Sequence, residues 1–228
     1  IIGSNGLPLL TDGYESLGRT APDWIGGVTN EFSYKGISLR ANFDMKFGGK
    51  VYSMTNAYAA YNGLTNETLE GRDGYNAWVA EQVAAGKTLN QIGQLTPTAG
   101  LIVPGVNEVR DNTGNVTGYQ NNTRYVNPQT YWRSLYGDNT TPEPFVYDAS
   151  YVKLREVSIG YDFPKKWLKG TGFERFKFSI IGRNLWNVYS KVPNIDPEST
   201  YTNGNGQGFE YGSLPYRRSY GFNLQLSF

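Results

Sequence analysis

The feature that most restricts the fold of this sequence is a two-residue alternation in its last segment, residues 216–228. Apart from Arg218, the even-numbered positions are apolar or aromatic, and the odd-numbered positions are polar or glycine. This period indicates a β-strand with one apolar face. Because the segment ends on an aromatic residue, Phe228, we expect neighbouring strands to hold it. One physical solution is a barrel wall whose outward side chains contact lipid.

Four earlier segments show the same alternation. The predicted strands comprise residues 24–34, 37–47, 150–163, 175–189 and 216–228. Residues 37–47 alternate without a fault, and Lys35-Gly36 before them predicts the tight turn of a hairpin. The apolar parity changes at Arg155-Glu156, which predicts a β-bulge there or a switch of environment.

The connections between the predicted strands alternate between short turns and long loops, the long ones being residues 48–148 and 190–215. This rhythm is typical of bacterial outer-membrane barrels, which have short periplasmic turns and long external loops. The first loop, of about 100 residues, far exceeds the usual 2–6, so it is either an inserted domain or a large functional loop. Within it we predict a helix at about 75–85 and a hairpin that turns at 111–114.

Five strands cannot close a barrel, because small barrels need about eight. In a barrel, further strands would therefore lie upstream of Ile1. The sequence opens without a signal peptide, so we expect a mature product or a part of a longer chain. No apolar run reaches the roughly 20 residues of a membrane helix, whereas a membrane strand needs only about 9–11 alternating residues.

The composition excludes several classes of function. The 21 Lys plus Arg residues and 20 Asp plus Glu residues give a net charge of +1, which offers no electrostatic case for nucleic-acid binding. The absence of cysteine excludes a disulfide framework and thiolate metal sites. The absence of histidine removes the commonest general base and the commonest transition-metal ligand.

The alternation alone leaves two architectures open. A soluble β-sandwich also alternates, with its polar face outward, so a secreted module that binds carbohydrate through loop aromatics is the alternative to a membrane barrel. A glycoside hydrolase with two catalytic carboxylates is disfavoured, because no acidic pair stands out from the loop charges. We therefore predict no enzyme activity, and assign no catalytic, cofactor-binding or metal-binding residue. The substrate-binding residues stay unassigned.

Three groups of residues are singled out for their chemistry. Asp196-Pro197-Glu198 could supply calcium ligands, but one acidic pair is far from the 6–8 oxygens that Ca²⁺ takes, and a loop turn explains it better. The run at 111–118 is likewise better read as a hairpin tip than as a calcium loop. Residues 153–156, Lys-Leu-Arg-Glu, either line a substrate path or form a charge network facing the barrel lumen, and we favour the network.

Aromatic residues near the predicted strand ends have two interpretations. They fit the aromatic girdles of membrane barrels, and the alternative is stacking against sugar rings. The residues concerned are Trp24, Trp186, Tyr189, Tyr216 and Tyr220. Gly160 and Gly182 lie inside predicted strands, where glycine marks bulges or crowded sites.

An ordered set of segments resembles a known family. Residues 22–53, 148–164, 181–186 (IGRNLW), 194–198 (NIDPE) and 218–228 (RSYGFNLQLSF) are similar to the C-terminal end of the SusC/RagA family, the TonB-linked outer-membrane transporters of Bacteroidetes. The resemblance spans nearly the whole chain and is weakest over 87–147.

The resemblance implies an all-β fold in which the chain forms the last five antiparallel strands of a 22-stranded transmembrane barrel. It implies that the plug domain and the earlier strands lie outside residues 1–228. It also implies TonB-dependent import of glycan or peptide fragments through the outer membrane, without a cofactor, beneath a SusD-like lipoprotein lid. Residues 48–148 and 190–215 would then be external loops.

Overall fold

The computed structural model describes residues 1–137, 140–202, 204 and 206–228. The strands are β1 (Trp24–Tyr34), β2 (Ile37–Phe47), β3 (Lys50–Ser53), β4 (Leu101–Ile102), β5 (Val106–Arg110), β6 (Val116–Asn121), β7 (Tyr125–Val126), β8 (Val146–Asp148), β9 (Tyr151–Asp162), β10 (Arg175–Ser190), β11 (Phe209–Glu210) and β12 (Ser219–Ser227). The helices are α1 (Met54–Tyr61), α2 (Arg72–Ala84), α3 (Leu89–Ile92), α4 (Pro128–Arg133) and α5 (Lys165–Leu168).

The chain divides into two compact units. The sheet unit comprises Leu17–Ser53 and Val146–Phe228, and the loop unit comprises Ile1–Ser16 and Met54–Phe145. No helix in the described part of the chain is long and apolar enough to cross a membrane.

The sheet unit is built on one antiparallel sheet of five strands in the order β1-β2-β9-β10-β12. These are the five segments in which the sequence alternates, and β1 and β2 have the predicted bounds. The last strand begins at Ser219 rather than at 216. Its ladder with β10 ends at the pair Arg183–Ser219, because the next residue of β10, Asn184, adopts a left-handed φ of 52°.

The turn between β1 and β2 is the predicted one. Lys35 and Gly36 have φ values of 47° and 84°, as the two central residues of a type I′ hairpin turn require. A Cβ at position 36 would lie 2.8 Å from the carbonyl oxygen of Asp162, so the close approach of β9 also favours glycine there.

The predicted bulge is present at Arg155. On β2, Asn42 pairs with Glu156 and the next residue, Phe43, pairs with Leu154, which leaves Arg155 as the extra residue. The register between β9 and β10 shifts at the same level. Because of this extra residue, Leu154 and Val157 share one face of the sheet although their sequence parity differs.

One face of the sheet is apolar and exposed. A single row of cross-strand partners runs over all five strands: Phe32, Leu39, Ile159, Ile180 and Phe222. Every member is exposed, including Ile159 (55%) and Ile180 (58%) on the inner strands β9 and β10. The neighbouring row on the other face is polar or glycine: Ser33, Ser38, Gly160, Ser179 and Asn223.

A second, three-stranded sheet in the order β11-β3-β8 adjoins the ends of β2 and β9. It forms around a small apolar cluster of Val51, Ala149 and Val192, with Tyr147 and Ile195 packed against it. These strands are two to four residues long, too short for a two-residue period to reveal them, and the sequence did not predict them.

The loop unit combines short helices with two hairpins around a core of Ile2, Leu101, Val103 and Val126. The predicted hairpin is confirmed as β5 and β6. The predicted helix is α2, which begins at Arg72 because Gly71 before it adopts a left-handed φ of 75°. The structure is mostly β-sheet, and the region between β2 and β9 contains more helices than the one predicted there.

Candidate functional site

Five charged residues and one tyrosine from three parts of the sheet unit converge on the polar face of the sheet, beside the small sheet. They are Asp44 of β2, Tyr151, Lys153 and Arg155 of β9, and Asp196 and Glu198 of the segment after β10. We call these six residues the anchoring network. The register brings them together, since Asp44 pairs with Lys153 across the ladder and the bulge at Arg155 turns that side chain to the same face.

Lys153 is the most buried charged member of the anchoring network, with 4% of its surface exposed, the same fraction as Tyr151. Its ammonium group donates to Glu198 Oε2 at 2.5 Å and also to Asp196 Oδ1. The rings of Tyr151 and Tyr216 lie 4.9 and 5.6 Å from Nζ, close enough for cation–π attraction. Two carboxylates and two aromatic rings thus replace the water that this cation loses on burial.

Arg155 links the sheet to the same segment. Its guanidinium donates to Asp44 Oδ2 from Nε at 3.0 Å and from Nη2 at 2.7 Å, and Nη2 also donates to Glu198 Oε1. The Tyr151 hydroxyl donates to Glu198 Oε1 at 2.7 Å. Glu198 therefore receives hydrogen bonds from three side chains of one strand, which fixes its loop against β9.

Two carboxylates of this region, those of Glu198 and Asp148, remain ionised well into acid. Burial by itself would raise the pKa of Glu198, but the hydrogen bonds from Arg155, Lys153 and Tyr151 outweigh it and lower the pKa to about 2. Asp148 at the end of β8 behaves in the same way. Burial opposes its ionisation, and hydrogen bonds from Lys191 and Ser150 prevail, so its pKa is also about 2.

The segment after β10 is held at two further places. Val192 and Ile195 pack in the apolar cluster of the small sheet. Farther along, Glu210 of β11 is fully buried, and its carboxylate accepts hydrogen bonds from Ser53 Oγ at 2.7 Å and from the Ser213 backbone N–H at 3.0 Å. The predicted loop at 190–215 is thus bound to the sheet unit by apolar packing, ion pairs and a short parallel strand.

The structure brings together most of the residues that the sequence singled out. Lys153 and Arg155 meet Asp196 and Glu198, so the predicted charge network is present and the two acidic residues serve as its acceptors. Glu156 lies outside it and accepts from Arg183 Nε at 2.8 Å. At the other motif, the Asp111 carboxylate accepts from the backbone N–H groups of Thr113 and Asn115, as in a hairpin tip.

Sequence reasoning missed Asp44 and Tyr151 as members of the anchoring network. The signal for Asp44 was its place on the polar face of β2, but only the strand register shows which residue of β9 lies opposite.

The five aromatic residues near strand ends, Trp24, Trp186, Tyr189, Tyr216 and Tyr220, are all exposed in the structure. Gly160 is a crowded site, where a Cβ would lie 2.6 Å from Ser179 Oγ and 2.8 Å from Ser38 Oγ.

Curated proteins similar to the chain are TonB-dependent receptors. TonB-dependent receptor P3 of Formosa agariphila is 27% identical over 218 residues, which is 93% of this chain and 17% of the receptor. TonB-dependent receptor P26 of the same organism is 24% identical over 223 residues, which is 96% of this chain and 18% of that receptor. The chain therefore spans less than a fifth of these relatives. No model of a protein family matches the sequence.

Solved structures with the same fold include the RagAB peptide importer. In its closed-closed state, a chain of that complex matches all of this chain and 20% of its own length, with a TM-score of 0.55 and 17% identity. In the open-open state, the match covers 97% of this chain with a TM-score of 0.53 and 18% identity. The resemblance to SusC/RagA-type TonB-dependent transporters that the sequence motifs indicated is thereby confirmed.

Proposed function

We propose that the chain is the C-terminal part of a 22-stranded, TonB-dependent outer-membrane transporter that imports glycan or peptide fragments. The five-stranded sheet is a section of the barrel wall, with its apolar face toward lipid and its polar face toward the lumen. Further strands of the same barrel pair with the free edges of β1 and β12. The plug and the segment that binds TonB belong to the part of the protein before Ile1.

The observation that carries this proposal is the exposed apolar row across the sheet. In a soluble layered protein, large apolar residues on inner strands are covered by a second layer. Here Ile159 and Ile180 on the inner strands β9 and β10, and Phe222 on β12, remain exposed in the described structure, and their row is flanked on the other face by polar residues and glycine. Lipid is the surrounding that stabilises such an apolar face. A β-sheet can present the face to lipid when it is closed into a barrel, because closure leaves no backbone group unpaired toward the hydrocarbon.

The proposal gives the remaining parts of the chain their roles. Residues 48–148 and 190–215 are external loops, and the anchoring network holds the second of them against the wall at the mouth of the barrel. The long first loop contacts a SusD-like surface lipoprotein that closes over the barrel. The match to a peptide importer supports peptide fragments as cargo, and the family resemblance supports glycan fragments equally.

Epitope tags test this topology in intact cells. One tag is inserted at Gly114, in the hairpin tip of the first long loop, and the other at Gly170, in the short turn after β9. A Cβ at either glycine would meet nothing within 4 Å, so both sites have room. We expect antibody to label the Gly114 tag on whole cells, and the Gly170 tag only after the outer membrane is permeabilised.

The denatured mass of the tagged protein completes the test. A mass several times 25.4 kDa in the outer-membrane fraction is expected for a large barrel. Recovery of a protein near 25.4 kDa in the soluble fraction, with both tags equally accessible, would refute the proposal and favour a secreted β-sandwich that binds carbohydrate.

A further inference from the structure

The loop unit contains an open cleft that the barrel proposal does not use. It has a volume of about 350 Å³ and lies between α1, the start of α2 and α4. This is at the small end of the range for pockets that hold small ligands, roughly 300–1,000 Å³. Its lining contains several hydrogen-bond donors and aromatic rings. The residues that matter here are Tyr61, Arg72, Asn76, Gln129, Trp132 and Arg133.

Arg72 is held in the cleft by neutral acceptors, and none of the residues that the structure describes supplies a counter-ion. Its Nε donates to the Thr68 carbonyl oxygen at 2.6 Å, and its Nη2 donates to the Gly63 carbonyl oxygen at 2.9 Å and to Thr68 Oγ1 at 2.7 Å. These acceptors are neutral, and among the described residues no carboxylate lies within ion-pair distance of Arg72. Within the described part of the chain, the Nη1 end of this rigid cation is therefore left for an anion.

Two neighbours of Arg72 add to the demand for an acceptor. The indole Nε1 of Trp132 is buried and finds no hydrogen-bond acceptor within the described structure. Such an orphan donor is rare in folded proteins, and a small movement of the indole toward the cleft would let a ligand oxygen pair with it. The Arg133 guanidinium lies 5.4 Å from the centre of the Tyr61 ring, which places a second positive charge at the rim of the cleft.

We infer that this cleft binds a carboxylate group carried by a short oligomer. The single free end of Arg72 suits a singly charged carboxylate better than a phosphate, which usually recruits several N–H donors. The aromatic rings pack against the body of the ligand, and the amides of Asn76 and Gln129 can donate to and accept from its polar groups. The carboxylate can come from a peptide C-terminus or from an acidic sugar. The relevance of the site to import rests on the proposed function, whereas binding itself does not.

Titration calorimetry on the purified full-length protein that carries this chain tests the inference. The probes are N-acetyl-trialanine and its C-terminal amide, and trigalacturonate and its methyl ester. In at least one pair we expect the acid to bind about tenfold more tightly than its neutral counterpart, because only the acid pairs with Arg72. If only N-acetyl-trialanine is preferred over its neutral counterpart, the carboxylate comes from a peptide. If only trigalacturonate is preferred, it comes from an acidic sugar. If both are preferred, the site recognises the carboxylate and not the rest of the oligomer.

Variants locate the binding in the cleft. Arg72→Gln removes the cation but also disturbs its bonds to Thr68 and Gly63, so the decisive variant is Asn76→Asp, which adds a negative charge to an exposed lining residue. Asn90→Asp, an exposed residue of α3 outside the cleft, is the matched control. We expect Asn76→Asp to weaken binding of the acid by about tenfold and Asn90→Asp to leave it unchanged.

Two results would overturn the inference: equal binding of acid and neutral probes in both pairs, and equal binding by the two aspartate variants. The epitope-tag labelling of the same variants reports barrel assembly independently of any ligand. A failure of binding in a correctly assembled barrel would therefore refute the cleft assignment and leave the transporter proposal standing.

Discussion

An arginine at Leu224 should disrupt assembly, whereas an arginine at the next residue should not. Leu224 is 53% exposed, pairs with Phe178 and lies on the apolar face. Asn223 pairs with Ser179 on the polar face. The two positions share a strand and a depth, so the substitutions Leu224→Arg and Asn223→Arg differ chiefly in which face receives the charge.

The position of Leu224 along β12 sets the size of the effect. β12 runs from Ser219 to Ser227, so Leu224 is one residue from its middle. With a rise of about 3.3 Å per residue and a tilt of about 45°, one residue corresponds to roughly 2.3 Å along the bilayer normal. Leu224→Arg is therefore close to the midplane, where a lipid-facing arginine costs about 2–4 kcal/mol. Asn223→Arg should stay within about 0.5 kcal/mol, as surface substitutions usually do.

Stability is measured by urea titration of the full-length protein after it has been folded into lipid vesicles. Assembly in cells is checked by the gel shift of the folded form. Leu226 supplies an internal scale. It lies two residues closer to the strand end than Leu224, so Leu226→Arg should cost less than Leu224→Arg. If Asn223→Arg were as harmful as Leu224→Arg, or more harmful, the assignment of the two faces would be wrong.

Two further predictions concern the polar face. Glu198 has a pKa of about 2 in the folded chain against an ordinary value of 4.5, so its stabilising contribution is complete above about pH 4.5 and disappears as the pH falls through about 2. Relative to an unfolded substrate digested at the same pH, pepsin should therefore cut the segment at 190–215 faster as the pH falls over that range. Glu198→Gln should weaken this pH dependence, and the remaining part should come from Asp148, whose pKa is also about 2. Gly160→Ala should destabilise the sheet by about 1–3 kcal/mol, because the new Cβ would lie 2.6 Å from Ser179 Oγ. In contrast, Gly221→Ala on β12, where a Cβ meets nothing within 4 Å, should leave the urea midpoint unchanged, and equal midpoints for the two variants would contradict the crowding argument.

The sequence predicted the parts of this fold that are encoded locally. The alternation in β2 and the Lys35-Gly36 turn are properties of neighbouring residues, so both could be read directly. The bulge at Arg155 was also visible, because an extra residue shifts the parity of everything that follows. In contrast, β3, β8 and β11 exist only through pairing between segments far apart in the chain, and no local pattern marks them.

The candidate site shows the same division. Lys153 and Arg155 stood out as charges in a strand, and Asp196 and Glu198 as an acidic pair in a loop, but their contact depends on how the segment after β10 folds back. The cleft of the loop unit was not predicted at all. Its residues come from three helices, and Arg72 becomes a candidate ligand-binding residue only once the structure shows that its partners are neutral.

The charge balance of the anchoring network leads to a last prediction. The network contains two cations, Lys153 and Arg155, and three carboxylates, so its formal charge is −1. Lys153→Met would leave one cation among three carboxylates, and breaking a buried pair in this way costs about 3–5 kcal/mol.

Asp44→Asn would instead leave two cations and two carboxylates, and Arg155 would keep Glu198 as its partner. We therefore expect the free energy of unfolding to fall markedly in Lys153→Met. In Asp44→Asn it should fall by less than about 1.5 kcal/mol, because Arg155 loses one charged acceptor and retains the other. Urea titration of the two variants in lipid vesicles compares them directly. Equal losses would mean that packing around Lys153 and Asp44, rather than charge balance, decides how firmly the segment after β10 is held to the wall.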